Sequence, residues 1–131
     1  MSSRRNVSSG SEYESEVGYS RAVRTGPFVA VAGTTGSGSD AAAQMRDALR
    51  RIVSALSEVG ASLSDVVRTR MFVTDISQWE AIGAVHAEFF GAVRPAATMV
   101  EVAALISPEL LVEIEVDAYV DPSIDPSVDP A

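Results

Sequence analysis

Apolar residues recur along this chain at two different spacings. Between Asp40 and Gly60 the apolar positions Met45, Leu49, Ile52, Val53, Leu56 and Val59 are mostly three or four residues apart. That spacing places them on one stripe of an α-helix, with Arg46, Arg50, Arg51 and Glu58 largely off it. Asp40 is a good N-cap and Gly60 a good residue to follow a helix end. A second helix is predicted from Ser77-Gln78-Trp79-Glu80, which reads as a capping box, to Gly91. Ile82, Val85 and Phe89 face inward in this reading, and Trp79 is a further candidate. Elsewhere the period is two. Over 66–74, Val67, Thr69, Met71 and Val73 alternate with Arg68, Arg70 and Phe72. Over 111–119, Val112, Ile114, Val116 and Ala118 alternate with Leu111, Glu113, Glu115, Asp117 and Tyr119. Residues 19–24 and 28–33 are rich in β-formers and join at the turn signal Thr25-Gly26-Pro27. The order is strand, strand, helix, strand, helix, strand, strand.

Two amphipathic helices covering one face of a sheet define an α+β domain. The second face mixes Arg, Glu, Phe and Tyr. Such a face is either wet or covered by other subunits, where opposite charges pair. The ends lack this patterning. Residues 1–16 are rich in Ser, Glu and Arg and read as a mobile arm. Residues 121–131 repeat Asp-Pro three times and read as a disordered or extended tail. The domain is therefore assigned to 17–120, and loss of residues 1–10 and 122–131 is expected to leave stability nearly unchanged.

Length and composition narrow the chemistry. At 131 residues the chain makes one domain, long enough to bury roughly two thirds of its unfolded surface. It has no cysteine and one histidine, so neither thiolate chemistry nor a transition-metal site is expected, and no cofactor is implied. No apolar run approaches the ~20 residues of a membrane span, and the two N-terminal arginines are not followed by an apolar stretch of the secretory kind. A cytoplasmic protein without a membrane partner is the default expectation. Net charge is −8 and the pI is near 4.5, a balance that repels phosphate backbones and argues against a nucleic-acid partner.

Several segments carry a family resemblance. Arg94-Pro95-Ala96-Ala97-Thr98-Met99-Val100-Glu101-Val102 resembles the signature segment of the YjgF-like reactive-intermediate deaminase (Rid) family. Val17-Gly18-Tyr19-Ser20-Arg21-Ala22-Val23 resembles that family's first strand, with its Gly-(Pro)-Tyr-Ser-x-Ala motif. Phe28–Gly33, Val67–Asp75 and Val112-Glu113-Ile114-Glu115 resemble the second, third and closing strands. The resemblance covers about 17–120. It implies a chorismate mutase-like fold, ββαβαββ, with two helices on one face of a mixed sheet. It also implies a homotrimer whose sheets enclose a central barrel, with small-molecule sites in the clefts between subunits.

The family's chemistry is hydrolysis of an enamine or imine, in which water adds and ammonia leaves. Glu113 matches the glutamate that holds the attacking water, although it is equally readable as an ion-pair partner of Arg68 or Arg70. Tyr19 matches the tyrosine over the ligand, or is an interface aromatic. Gly33 matches the glycine whose backbone contacts the ligand, and also reads as a turn glycine needing positive φ. Ala97 stands where the deaminases have the arginine that grips the substrate carboxylate. Losing that two-pronged bond should cost on the order of 2–3 kcal/mol. Thr98 and Met99 belong to the same segment, with Met99 an apolar wall where many relatives have cysteine. Arg70 and Arg94 are the candidate replacement cations, Glu101 a candidate partner for an arginine, and His86 a helix-surface or partly buried histidine. Two functions follow from the resemblance. One is a Rid-like hydrolase other than the standard 2-aminoacrylate deaminase. The other is a non-catalytic trimer that binds a small metabolite in the same clefts.

Overall fold

A computed structural model describes residues 4–122, so all of the Asp-Pro tail beyond residue 122 lies outside the described residues. The chain forms β1 (Arg4–Val7), α1 (Glu12–Val17), β2 (Ala22–Thr25), β3 (Phe28–Thr34), α2 (Ala41–Glu58), β4 (Val66–Val73), α3 (Trp79–Phe90), β5 (Ala96–Glu101) and β6 (Val112–Tyr119). The strands make one mixed sheet in the order β1-β2-β3-β6-β4-β5. Only β4 and β5 are parallel, because α3 carries the chain back between them. From β2 onward the order is the expected ββαβαββ, and α2 and α3 pack against each other.

The core forms where the alternation of β6 meets the stripe of α2. Val112, Ile114, Val116 and Ala118 are fully buried, as are Met45, Leu49, Ile52, Leu56 and Val59. Asp40 Oδ1 accepts the Ala43 N–H at 2.8 Å and starts α2. Gly60, at φ 75°, ends it. Two arginines from neighbouring strands finish the same end. Arg5 Nη2 donates to Glu58 O and Arg24 Nη1 to Val59 O, both at 2.6 Å, where the negative end of the helix dipole favours a cation.

Several expectations are corrected. Residues 4–17 are not a patternless arm: β1 pairs antiparallel with β2, and Ser11 caps α1 by accepting the Tyr13 N–H. A four-residue edge strand shows no core period because three of its four residues are exposed. Val53, Val67 and Trp79 are exposed instead of buried. A bulge between Val66 and Arg68 turns Val67 out and puts Val66 in its place. The Ser77–Glu80 capping box does not form. A 3-10 turn, Ile76–Gln78, precedes α3, and Asp75 caps it by accepting the Ser77 N–H. Phe90 is the fully buried aromatic of α3, and Phe89 packs against the core partly buried.

The order found at the N-terminus also reverses the expected tolerance to truncation. Deleting residues 1–10 removes β1, the Arg5 bond to α2, and the two bonds by which Ser9 fixes the Glu14 carboxylate. Stability is expected to fall by about 2–3 kcal/mol, as for several lost charge-assisted hydrogen bonds. Denaturant unfolding of the truncated and full-length chains checks this, and equal midpoints would return residues 4–10 to the status of a passive arm.

Candidate functional site

β3 and β6 are adjacent, and a register shift between Val31 and Thr34 brings Gly33 beside Glu113. A Cβ on Gly33 would come within 2.6 Å of Glu113 Oε2. Gly33 thus leaves the Glu113 carboxyl group in place, because a side chain there would push that flexible end aside. It is not among the positive-φ glycines, which corrects the reading of it as a left-handed turn residue. The Glu113 carboxyl group lies against the end of β3 and opens into a cleft shared with Tyr19, Arg21 and Gly33. α1, the exposed face of α2 and the loop before β6 supply the other walls, through Tyr13, Arg51 and Ile106.

Burial raises the pKa of Glu113 above the ordinary carboxylate range, and the neighbouring Glu115 charge adds to the rise, while Arg21 opposes it. Glu113 has no ion pair with Arg68 or Arg70. Arg70 Nη1 instead faces Glu115 Oε1 at 3.3 Å and Asp117 Oδ2 at 3.1 Å. This pairing commits Arg70 to the mixed face of the sheet.

The remaining candidates lie elsewhere. Ala97, Thr98 and Met99 are on β5, opposite Thr69, Arg70 and Met71 of β4. β4 separates β5 from β6, so one chain places these residues on the edge strand, away from Glu113 on central β6. Arg94 is exposed, with φ 56°, and its N–H closes the end of α3 on Phe90 O at 2.7 Å. Glu101 Oε1 accepts the Ile76 N–H at 3.0 Å, so it caps a turn instead of pairing with an arginine. His86 is half-buried, 2.9 Å from Thr69 Oγ1 and stacked on Phe90, and burial lowers its pKa.

Sequence reasoning missed Arg21. It occupies the unspecified position of the Tyr-Ser-x-Ala motif, so the motif gave no signal for it. Arg21 Nη1 donates to Gly33 O at 2.9 Å and to Thr34 Oγ1 at 2.6 Å, and the guanidinium carbon lies 5.7 Å from the centre of the Tyr19 ring.

A mixed six-stranded sheet carrying these helices is the architecture of the YjgF-fold proteins. Residues 9–120 match the family described as Endoribonuclease L-PSP, and the chain belongs to this YjgF/Rid family. It is similar to a solved member of the YjgF/YER057c/UK114 family from Mycobacterium tuberculosis, with 70% identity and a TM-score of 0.89, covering 90% of this chain and 100% of that one. The E. coli YjgF gene product aligns at 29% identity with a TM-score of 0.73, over 77% of this chain and 87% of that one. An uncharacterised Streptomyces coelicolor protein is 38% identical over 85% of this chain and 88% of its own length. The 3-aminoacrylate deaminase RutC of Acinetobacter baylyi is 44% identical over 57% of this chain and 59% of its own.

The raised pKa of Glu113 has a consequence for stability. The folded chain holds this proton to higher pH than the unfolded chain does. The resulting stabilisation is complete below the unfolded carboxylate pKa and is lost as pH rises through the folded one. Glu113→Gln removes that loss. Its stability relative to wild type is expected to increase between about pH 4 and about pH 8, the interval spanning an upward-shifted carboxylate. Urea midpoints of both proteins at the two pH values test the sign, and a difference that shrinks with rising pH contradicts it.

Proposed function

We propose that the protein is a Rid-type hydrolase of small enamines or imines. The observation that carries this reading is the half-buried Glu113 carboxyl group laid against Gly33 inside a cleft. Water held by Glu113 adds to the imine carbon and gives up a proton to the carboxylate. The carboxyl group returns the proton to nitrogen to give a carbinolamine. The same carboxylate then carries the carbinolamine hydroxyl proton to nitrogen, the carbonyl forms as the C–N bond breaks, and ammonia leaves a ketone behind. An upward-shifted pKa suits a group that must accept and return a proton near neutrality. Imines hydrolyse readily, so most of the catalytic demand is positioning. The deaminase named among the relatives supports this class of reaction.

Ala97 sets the reading apart from the standard 2-aminoacrylate deaminase, because a methyl group on β5 cannot hold a carboxylate. The ribonuclease activity in the family's description is not part of the proposal. A net charge of −8, with Glu113 and Glu115 at the cleft side of β6, opposes a phosphodiester backbone. The proposal includes a homotrimer. Phe28 and Tyr119 pair across β3 and β6 and stay 44% and 49% exposed, and Arg70 has its carboxylate partners on the same uncovered sheet. Covering that face with two further copies would also bring β5 of one subunit towards the Glu113 cleft of the next.

Wild-type protein is expected to release ammonia from imines generated in situ by an amino-acid oxidase. Glu113→Gln should lower kcat by roughly a hundredfold, the usual worth of a positioned acid–base group. Ala97→Arg should raise kcat/KM for 2-aminoacrylate about tenfold or more, as an added charged hydrogen bond to the carboxylate would. Ligand binding without ammonia release from any imine would make the protein a metabolite-binding trimer. Sedimentation equilibrium at micromolar concentration is expected to give the mass of three chains, and a monomer would remove the shared-cleft arrangement.

A further inference from the structure

The geometry points to Arg21 as the anion-binding residue of the cleft, which makes the ligand a small carboxylate-bearing imine or its keto product, held from the β2–β3 side. The imine in this statement rests on the hydrolase reading, whereas the carboxylate rests on Arg21.

Two arginines line the cleft, and their charges are used differently. Arg51 is 2.9 Å from Asp47 and also donates to Thr35 O and Ser37 Oγ, so a carboxylate already balances it. Arg21 donates only to neutral oxygens. Its Nη1 is fixed by Gly33 O and by Thr34 Oγ1. Thr34 is itself buried and bonded to Ala32 O at 2.8 Å, so this anchor is rigid. Arg21 Nε and Nη2 have no hydrogen-bond acceptor among the described residues, and the Arg21 charge acts on Glu14 and Glu113 only from beyond ion-pair distance. The ring of Tyr19 further restricts the guanidinium plane. A planar cation pinned at one nitrogen, with its other donors unspent, is pre-organised for a carboxylate fork. The other cations considered from the sequence lack this freedom or this place: Arg70 is spent on Glu115 and Asp117, and Arg94 is exposed at the end of α3.

Arg21 and Glu113 then divide the work. Arg21 receives the fixed negative charge, and Glu113 faces the carbon that water attacks. The carboxylate that Ala97 cannot hold on β5 is taken up on the opposite side of β6.

The test uses full-length protein with 2-oxobutyrate as the carboxylate probe and butanone as its neutral counterpart, followed by calorimetry and ligand-observed NMR. Wild type is expected to bind 2-oxobutyrate and to prefer it over butanone, with affinity falling as salt rises. Arg21→Gln should weaken 2-oxobutyrate roughly ten- to hundredfold, as loss of charged hydrogen bonds does. Arg21→Lys, which keeps the charge but loses the fork, should fall between. In turnover, the ratio of kcat/KM for a carboxylate-bearing imine to that for a neutral imine should drop in Arg21→Gln, chiefly through KM. If Arg21→Gln does not fold, the wild-type Arg21 Nε–H resonance serves instead and should shift on saturation with 2-oxobutyrate. Absence of 2-oxobutyrate binding to wild type, unchanged binding by a folded Arg21→Gln, equal losses for both probes, or an unmoved Nε–H resonance at saturation would each overturn the assignment. Binding that depends on Arg21 without ammonia release from any imine would leave it standing and remove only the hydrolase reading.

Discussion

β6 lies between β3 and β4, hydrogen-bonded along both edges, and its side chains serve two environments in strict alternation. Val112, Ile114, Val116 and Ala118 close the core under the helices. Glu113, Glu115 and Asp117 carry charge on the other side, where they meet the cleft and Arg70. A slip of one residue would exchange these sets, burying three carboxylates and exposing the centre of the core. The register of this strand therefore secures both the core and the placement of its three carboxylates.

Gln44 ties that register to the longest helix. Its amide donates to Gly38 O at 3.1 Å and Glu109 O at 3.0 Å, while its Oε1 accepts the Leu111 N–H at 2.8 Å. One buried side chain thus joins the start of α2 to the last residue before β6. The close approach of loop and helix also explains a glycine in the loop after β3. A Cβ on Gly36 would sit 2.2 Å from Gln44 O, so only glycine lets the loop after β3 pass the helix at this distance.

Much of the fold was legible because strong periods survive tertiary packing. The stripe of α2 and the alternation of β6 are long, and their burial follows the pattern almost residue for residue. Legibility failed where geometry breaks a period. The bulge at Val67 shifts one residue, and a 3-10 turn ahead of Trp79 moves a helix start that Ser77 and Glu80 had suggested. β1 was invisible because an edge strand is held by backbone bonds, which leave no apolar signature. Tyr19, Gly33 and Glu113 line one cleft, whereas Ala97, Thr98 and Met99 lie on the edge strand β5. The setting of Arg21 was not legible, since it is made by three-dimensional neighbours: a threonine, a carbonyl and an aromatic ring.

The place of β6 in the sheet has a kinetic meaning. β3 and β4 form early in the chain, yet neither is the other's neighbour, and each must wait for a strand that is synthesised last. Until that strand arrives, two long edges with apolar inner faces remain open in the nascent protein. Such distant pairing slows folding and prolongs exposure of unpaired edges. The charged outer residues of β6 therefore arrive with its apolar ones, so that the Glu113 carboxyl group of the cleft and the closed sheet both wait on the same strand.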